Sequence, residues 1–443
     1  MKNFIQKVSS LWTHASSEKA AAYYFTHIPK TAGTSFIVQL DRFFKQKDIF
    51  PNQLWREVGT INKEDNESFE LYRGHFGGGG VDSLTERSLN HLTLLRDPFA
   101  LSVSTFQFVQ REENTRVHDL VSQEGFDLEA FLTNSKTSTL VNNRMVRNLS
   151  FDFVEDPAAQ EVFLSEDTIE SLKPLLSKVD KALSPEARYQ RATSFIDKTV
   201  WFGLVEEFDR SMDLLCHHFK VPCMGKSQKL NTKPKALDIS EKAHRRIEIL
   251  NAWDIKLYRY ATQVFEQRYQ DMLHDLESFR SHPSQSKEDL LDKQYQQNHA
   301  YPEQTQCQMT FDQKMTGAQW HRRELLEEDG SFFRWTGPEP VSTIDLWVKP
   351  SDCQLQFRVI NALSSEDLDQ LKINVNGKPI EWYSDDEGVV RVIAANVPKS
   401  HIKPNGLARV ELTLPRTQSH KEAFGSDDER LVGLAVHWLK FMS

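Results

Sequence analysis

Between His27 and Phe36 the chain reads HIPKTAGTSF, a set of side chains suited to holding an anion. Lys30 supplies a mobile full charge, Thr31, Thr34 and Ser35 supply hydroxyl donors, and Ala32 and Gly33 are small enough for the backbone to approach a ligand closely. A helix start leaves backbone N–H groups unpaired and carries partial positive charge, so a phosphate placed there satisfies both. Lys30 is also placed to follow charge developing on a leaving oxygen. The order departs from G-x-x-x-x-G-K-[ST]: lysine precedes the only glycine and no upstream glycine exists, which argues against an ordinary nucleotide triphosphatase loop.

Two further clusters carry chemistry. His75 follows a short strand candidate, Phe69 to Tyr72, and precedes Gly77 to Gly80, a position where parallel-sheet enzymes present reactive side chains. Arg96 follows the apolar run His91 to Leu95, and Ser104 lies eight residues further on a helical segment. An arginine fork plus a hydroxyl grips a phosphate monoester. Asp97 is read as structural, fixing the turn or holding Arg96.

These groups need elements to position them. Tyr23 to Ile28 has the aromatic and β-branched make-up of a buried strand, ended by Pro29, and Phe36, Ile37 and Leu40 open a helix. Lys198 to Val205 reads as another buried strand and Glu206 to Phe219 as a helix, with Glu206 and Glu207 favouring its positive end. Ser240 caps a long helix in which Ile247, Leu250, Trp253, Leu257, Ala261, Val264 and Phe265 recur. From Ser281 to Gln306 the chain is polar. Beyond it, short alternating segments between Gly, Pro and Asn turns read as an antiparallel sandwich, with Asn376-Gly377 as a hairpin turn. The expected plan is an α/β domain over 20–278, a polar linker over 279–310 and a β-sandwich accessory domain over 311–443. Trp320, Trp335, Trp347 and Trp382 are candidates for stacking on sugar rings, set against the commoner use of such aromatics as core.

HIPKTAGTSF resembles the 5′-phosphosulfate loop of sulfotransferases that use 3′-phosphoadenosine 5′-phosphosulfate (PAPS), nearest to the Golgi-type O-sulfotransferases that include heparan sulfate 2-O-sulfotransferases and their bacterial relatives. Arg96 to Phe106, RDPFALSVSTF, resembles their 3′-phosphate motif R-D-P-x-x-x-x-x-S-x-[YF], with Leu101 where relatives often carry arginine. The resemblance covers roughly the first two thirds of the chain. It implies a P-loop-like parallel sheet, His75 as general base, and Arg73 as a nearby contact for an anionic substrate. It further implies that Lys30 and Thr31 to Ser35 hold the phosphosulfate, and Arg96 and Ser104 the 3′-phosphate. From STLVNNRMVRNLSF it implies Asn142 and Arg144 as cofactor or substrate contacts, with an amphipathic helix burying Leu140, Met145 and Leu149 as the rival reading. Lys233 or Lys235 would close over PAPS. The implied reaction is O-sulfation of a glycan hydroxyl, with PAP as the product.

The bulk properties set bounds. At 443 residues and 39% hydrophobic the chain is long enough for two or three domains with ordinary cores. The net charge of −9 argues against nucleic acid as a partner. No run approaches the ~18 apolar residues of a membrane span, and the opening MKNFIQKVSSLWTHASSEK lacks an apolar h-region, so a cytoplasmic, bacterial enzyme is expected. Cys216, Cys223, Cys307 and Cys353 are too scattered for a disulfide framework or a zinc pair, and His217 and His218 sit on an apolar helix, so no metal is expected. The competing functions are a nucleotide-dependent kinase and a non-catalytic glycan-binding protein with a degenerate nucleotide fold.

Overall fold

The computed structural model describes residues 21–58, 63–151, 183–223, 239–299 and 307–442. Its longer N-terminal elements are β1 (Ala22–Thr26), α1 (Gly33–Leu40), β2 (Leu71–Gly74), β3 (Leu89–Leu95), α2 (Pro98–Arg111), α3 (Arg144–Leu149), α4 (Pro185–Lys198), β4 (Trp201–Leu204), α5 (Phe208–Phe219), α6 (Glu241–Leu250), α7 (Ala252–Glu277) and α8 (Lys287–Gln297).

The four strands pair in parallel in the order β2-β1-β3-β4. Such a sheet is buried on both faces, and β1 shows how: Ala22 and Tyr24 enter one apolar cluster with Tyr72 and Phe76, while Phe25 enters another with Phe36, Leu92 and Trp201. The chain leaves β1 toward β2 on one side and leaves β3 toward β4 on the other. The order of strands therefore reverses between β1 and β3, the kind of switch point at whose carboxyl-end crevice open α/β sheets take their ligands. The loops that follow these two strands carry Lys30 and Arg96.

Helix α2 starts cleanly because Asp97 accepts from the N–H groups of Phe99 and Ala100 at 3.0 and 2.9 Å, the structural task expected of it. Glu206 is structural too, accepting from Asp97 N at 3.1 Å and from the Tyr258 hydroxyl at 2.6 Å. Ser240 caps as expected, accepting from Ala243 N at 3.1 Å. The helix it opens ends at Leu250 and restarts at Ala252, so the single long helix of the sequence reading is two.

The four-glycine run packs against the C-terminal end of α3 and the residues just beyond it. The N–H groups of Gly78 and Gly79 donate to the carbonyls of Asn148 and Phe151 at 2.8 and 2.7 Å. A Cβ on Gly77 would lie 2.3 Å from the Phe151 ring, and one on Gly78 only 2.1 Å from the Leu149 carbonyl oxygen.

The polar stretch read as a linker holds α8. Its polarity is that of the exposed face, while Leu290, Leu291 and Tyr295 are buried and Ser286 with Asp289 forms a capping box. The helix is tied on both sides. Lys287 pairs with Asp213 of α5 at 2.5 Å, and Asp292 pairs at 2.7 Å with Arg409 in the C-terminal region.

That region forms two antiparallel sheets. Seven strands make one: β5 (Cys307–Thr310), β7 (Trp320–Leu325), β8 (Phe332–Thr336), β10 (Cys353–Ala362), β13 (Trp382–Tyr383), β14 (Arg391–Val397) and β16 (Leu434–Met442). The other runs β12-β11-β15-β9-β6, from Lys378–Ile380, Lys372–Val375, Leu407–Thr413, Val341–Trp347 and Gly317–Ala318. Leu355, Phe357 and Leu439 of the first sheet share a core with Ile344, Ile373 and Val410 of the second. Asn376 and Gly377, with φ of 51° and 76°, turn the hairpin between Val375 and Lys378. Trp320 and Trp335 are buried, and the indole N–H groups of the half-buried Trp347 and Trp382 are spent on Tyr295 Oη at 3.0 Å and the Leu371 carbonyl at 2.8 Å. Trp320 and Trp335 therefore serve the core, the commoner use of such aromatics.

The two regions meet at the far end of α1. Arg323 donates to the carbonyls of Asp41 and Phe44 at 2.5 and 2.9 Å, Gln46 N donates to Asp312 O at 2.7 Å, and Met315 N to Arg42 O at 2.8 Å. No helix among the described residues is long and apolar enough to cross a membrane.

Candidate active site

The loop between β1 and α1 holds two non-glycine residues in left-handed conformation, Lys30 at φ 71° and Ala32 at φ 59°. Such backbone costs energy and persists where the surroundings enforce it, most often at functional sites. Here the enforcement is visible: Thr31 is fully buried with its hydroxyl donating to the Ile28 carbonyl at 2.8 Å, so that hydroxyl braces the turn. Helix α1 has no side-chain cap and no acidic residue in its first turn, in contrast to Asp97-capped α2. Its first N–H groups, with exposed Thr34 and buried Ser35 beside them, remain for an anion.

Across the crevice Arg96 Nη1 donates to the Lys30 carbonyl at 2.9 Å, tying the two strand ends together, while its Nε is buried with no hydrogen-bond partner. Lys30 Nζ rests 4.0 Å from the centroid of the Phe108 ring on α2. Burial, followed by the fields of Arg111, Arg144 and Arg96, lowers its pKa to about 8 against a weaker opposing pull from Glu112. Arg144 at the start of α3 reaches Thr105 Oγ1 at 3.4 Å and also has a buried, unpartnered Nε; burial brings its pKa down to about 10. Ser104 lies buried in the second turn of α2, and Leu101 is in the core. The site thus gathers Lys30, Arg96 and Arg144 with buried hydrogen-bonding capacity unspent. Orphaned buried donors of this kind are what an incoming polyanion satisfies.

His75 sits on the same edge, just past β2. Its Nδ1 lies 2.6 Å from the His27 carbonyl oxygen, and its ring stacks on the His27 ring with centroids 4.3 Å apart. A carbonyl oxygen only accepts, so Nδ1 carries the hydrogen and Nε2 presents a lone pair when the ring is neutral. Burial is the largest influence on His75 and lowers its pKa to about 4; Arg144 lowers it further, while the His27 carbonyl and Glu57 oppose. The ring is therefore a neutral base at pH 7.

Arg73 is not brought to the loop: its Nε and Nη2 donate to the two carboxylate oxygens of Asp41 at 2.7 and 3.1 Å, at the C-terminal end of α1, the end away from Lys30. Asn142 is exposed, and its side-chain oxygen accepts from Asn143 Nδ2 at 2.9 Å. Its neighbour Asn143, not singled out in the sequence, positions Arg144. Asn143 takes φ 44° and accepts from the N–H groups of Trp253 and Asp254 at 2.9 and 3.2 Å. Asp254 returns the favour, its two oxygens accepting from Met145 and Val146 at 2.9 and 2.8 Å. Nothing in the local sequence joins residues more than 100 positions apart into one reciprocal cap. Met145 and Leu149 are buried as the amphipathic reading of this segment requires, while Leu140 is only partly buried. Lys233 and Lys235 lie outside the described residues.

No protein-family model matches the chain. It is 27% identical over 293 residues to heparan-sulfate 6-O-sulfotransferase 1-B of Danio rerio and 29% identical over 287 residues to heparan-sulfate 6-O-sulfotransferase 1 of Homo sapiens. Both matches cover 56% of this chain and 66% of the relative, so the chain spans just under two thirds of their length. Heparan-sulfate 6-O-sulfotransferase 2 of Gallus gallus is 27% identical over 295 residues. These relatives bear out the likeness to heparan sulfate O-sulfotransferases, and their names specify 6-O transfer. Among solved structures, a family 35 carbohydrate binding module from Clostridium thermocellum aligns with 32% of this chain and 99% of its own at 17% identity and a TM-score of 0.21, a likeness too slight to bear on fold or function. By its similarity to the curated relatives, the chain is heparan-sulfate O-sulfotransferase-like.

Proposed function

We propose that this protein is an O-sulfotransferase that transfers a sulfuryl group from PAPS to a hydroxyl of a glycan and releases PAP. The observation that carries this reading is the crevice between β1 and β3. An uncapped helix start with Lys30 lies on one side, Arg96 with a free buried nitrogen on the other, and a neutral imidazole beside them. On this reading the four-stranded sheet is P-loop-like, residues 20–278 form the catalytic domain and 311–443 an accessory domain.

The donor supplies an activated sulfur and a phosphate leaving group. The α1 N–H groups, Lys30, Thr34 and Ser35 would hold its 5′ end, and Arg96 with Ser104 its 3′-phosphate. As the acceptor oxygen bonds to sulfur, the bond from sulfur to the 5′-phosphate oxygen breaks. His75 Nε2 takes the acceptor proton, and Lys30 with the α1 N–H groups meets the charge left on the phosphate. Arg144 adds positive charge beside the reacting atoms. Arg73, held by Asp41, braces β2 against α1.

The test is transfer of labelled sulfate from PAPS to desulfated glycosaminoglycans with and without free 6-hydroxyls. His75→Ala is expected to keep PAP affinity and lose about 10²–10⁴-fold in transfer. Undiminished transfer in that variant would remove His75 from the mechanism, and absence of transfer to every hydroxylated acceptor would remove the enzyme reading.

A further inference from the structure

His27 is the residue on which base and anion loop converge. It follows β1 directly, and its N–H donates to the Gly74 carbonyl at 2.9 Å, so it continues the ladder with β2 and lies opposite the approach to His75. Its carbonyl accepts from His75 Nδ1 at 2.6 Å, and its ring stacks on the His75 ring at 4.3 Å and 27°. On its other side the same ring fills the space over the start of α1. A Cβ on Gly33 would lie 2.1 Å from His27 Cδ2 and Nε2, so the glycine at this point makes room for the imidazole. Phe25, two residues earlier on the same face of β1, backs the ring at 5.6 Å. His27 is buried and its Nδ1 has no hydrogen-bond partner.

We propose that His27 is a positioning residue for the sulfuryl-transfer base: its ring is the platform on which the His75 imidazole lies, and through Gly33 the same ring sets the distance from that base to the start of α1. This rests on the sulfotransferase reading above. The His27 ring does not itself trade protons. Burial and the fields of His75, Arg144 and Lys30, which face it from the end of β2, the start of α3 and the loop, all hold it neutral. Its contribution is geometric and dielectric. It fixes one face of His75 and keeps water off it, and burial is the largest cause of that group's lowered pKa.

The experiment is a double-mutant cycle read by transfer kinetics and by NMR of ¹⁵N-labelled histidine side chains in the full chain. His27→Ala is expected to lower kcat about 10–100-fold, and to do so only while His75 is present; added to His75→Ala it should cost less than about twofold more. His27→Phe, which keeps an aromatic platform without nitrogens, should recover at least tenfold of any hundredfold loss. By NMR, the His75 titration should move from near pH 4 toward 6.5 in His27→Ala and stay low in His27→Phe. Equal losses from His27→Ala with and without His75, or a His75 titration that stays near pH 4 in His27→Ala, would overturn the proposal. If wild-type protein transfers no sulfate, the function assignment fails while the NMR arm still decides whether His27 shields and orients His75. If His27→Ala does not fold, His27→Leu enters the same cycle as the variant lacking an aromatic ring.

Discussion

Asp254→Ala is expected to cost more than any surface change, because Asp254 is fully buried and both its oxygens are committed to backbone donors at the start of α3. Truncation leaves the N–H groups of Met145 and Val146, themselves buried, without acceptors. Each orphaned buried donor costs about 1–3 kcal/mol, so the pair amounts to about 4 kcal/mol. For a unit of 150–250 residues that lowers the melting midpoint by roughly 8–16 °C. Asp254→Asn keeps one acceptor and sets an NH₂ against the other donor, placing it between Ala and wild type. There is also a pH signature. Burial pushes the Asp254 carboxyl up to about 7 against the two N–H bonds that pull it down. The folded state therefore holds the proton more tightly than the unfolded chain. The group's contribution is full below about pH 4 and is lost as pH rises toward 7. Asp254→Asn does not titrate, so the gap between it and wild type should narrow over that window. Differential scanning fluorimetry between pH 4 and 8 reads both effects. A midpoint drop under about 3 °C for Asp254→Ala, or a gap that widens with pH, would refute the capping argument.

Two further outcomes follow from the same geometry. Gly78→Ala places a methyl 2.1 Å from the Leu149 carbonyl oxygen, so backbone has to move and stability falls by about 1–3 kcal/mol in a thermal melt; an unchanged midpoint would mean the glycine run is not packed against this segment. The kcat/KM profile should rise through about pH 4 and stay level to neutrality, as a base in its neutral form requires, and fall as Lys30 loses its proton near pH 8. An acid limb at pH 6.5 would show His75 to be solvated like a free imidazole.

The parts of the fold legible in the sequence are those written locally. The β1 strand, the Lys30 loop and the α1 periodicity lie within twenty residues of one another, and the Asn376-Gly377 turn states its own conformation. What the sequence could not show is what its residues meet. Gly77 to Gly80 carry no local sign of their packing, because the segment they meet, Asn148 to Phe151, lies some seventy positions away. Arg73 read as a free cation because Asp41 was not visible beside it. Asn142 and Asn143 are indistinguishable as letters; only the proximity of Trp253 and Asp254 decides that the second one caps. Helix α8 was hidden by its polar exposed face, although Ser286 and Asp289 spell its capping box. His27 stood inside the quoted motif, yet its partnership with His75 depends on the parallel pairing of β1 and β2, which no local pattern announces.

The central claim is that the crevice between β1 and β3 holds a 3′-phosphorylated nucleotide. It is tested most directly by thermal stabilisation of the purified protein with PAP, with ATP and ADP alongside, in wild type, Lys30→Ala and Arg96→Ala. A ligand at a hundredfold its Kd stabilises by ~2.7 kcal/mol. The account predicts that PAP alone gives a shift of this size and that either substitution abolishes it. Equal stabilisation by ATP, or a PAP shift that survives both substitutions, would contradict it.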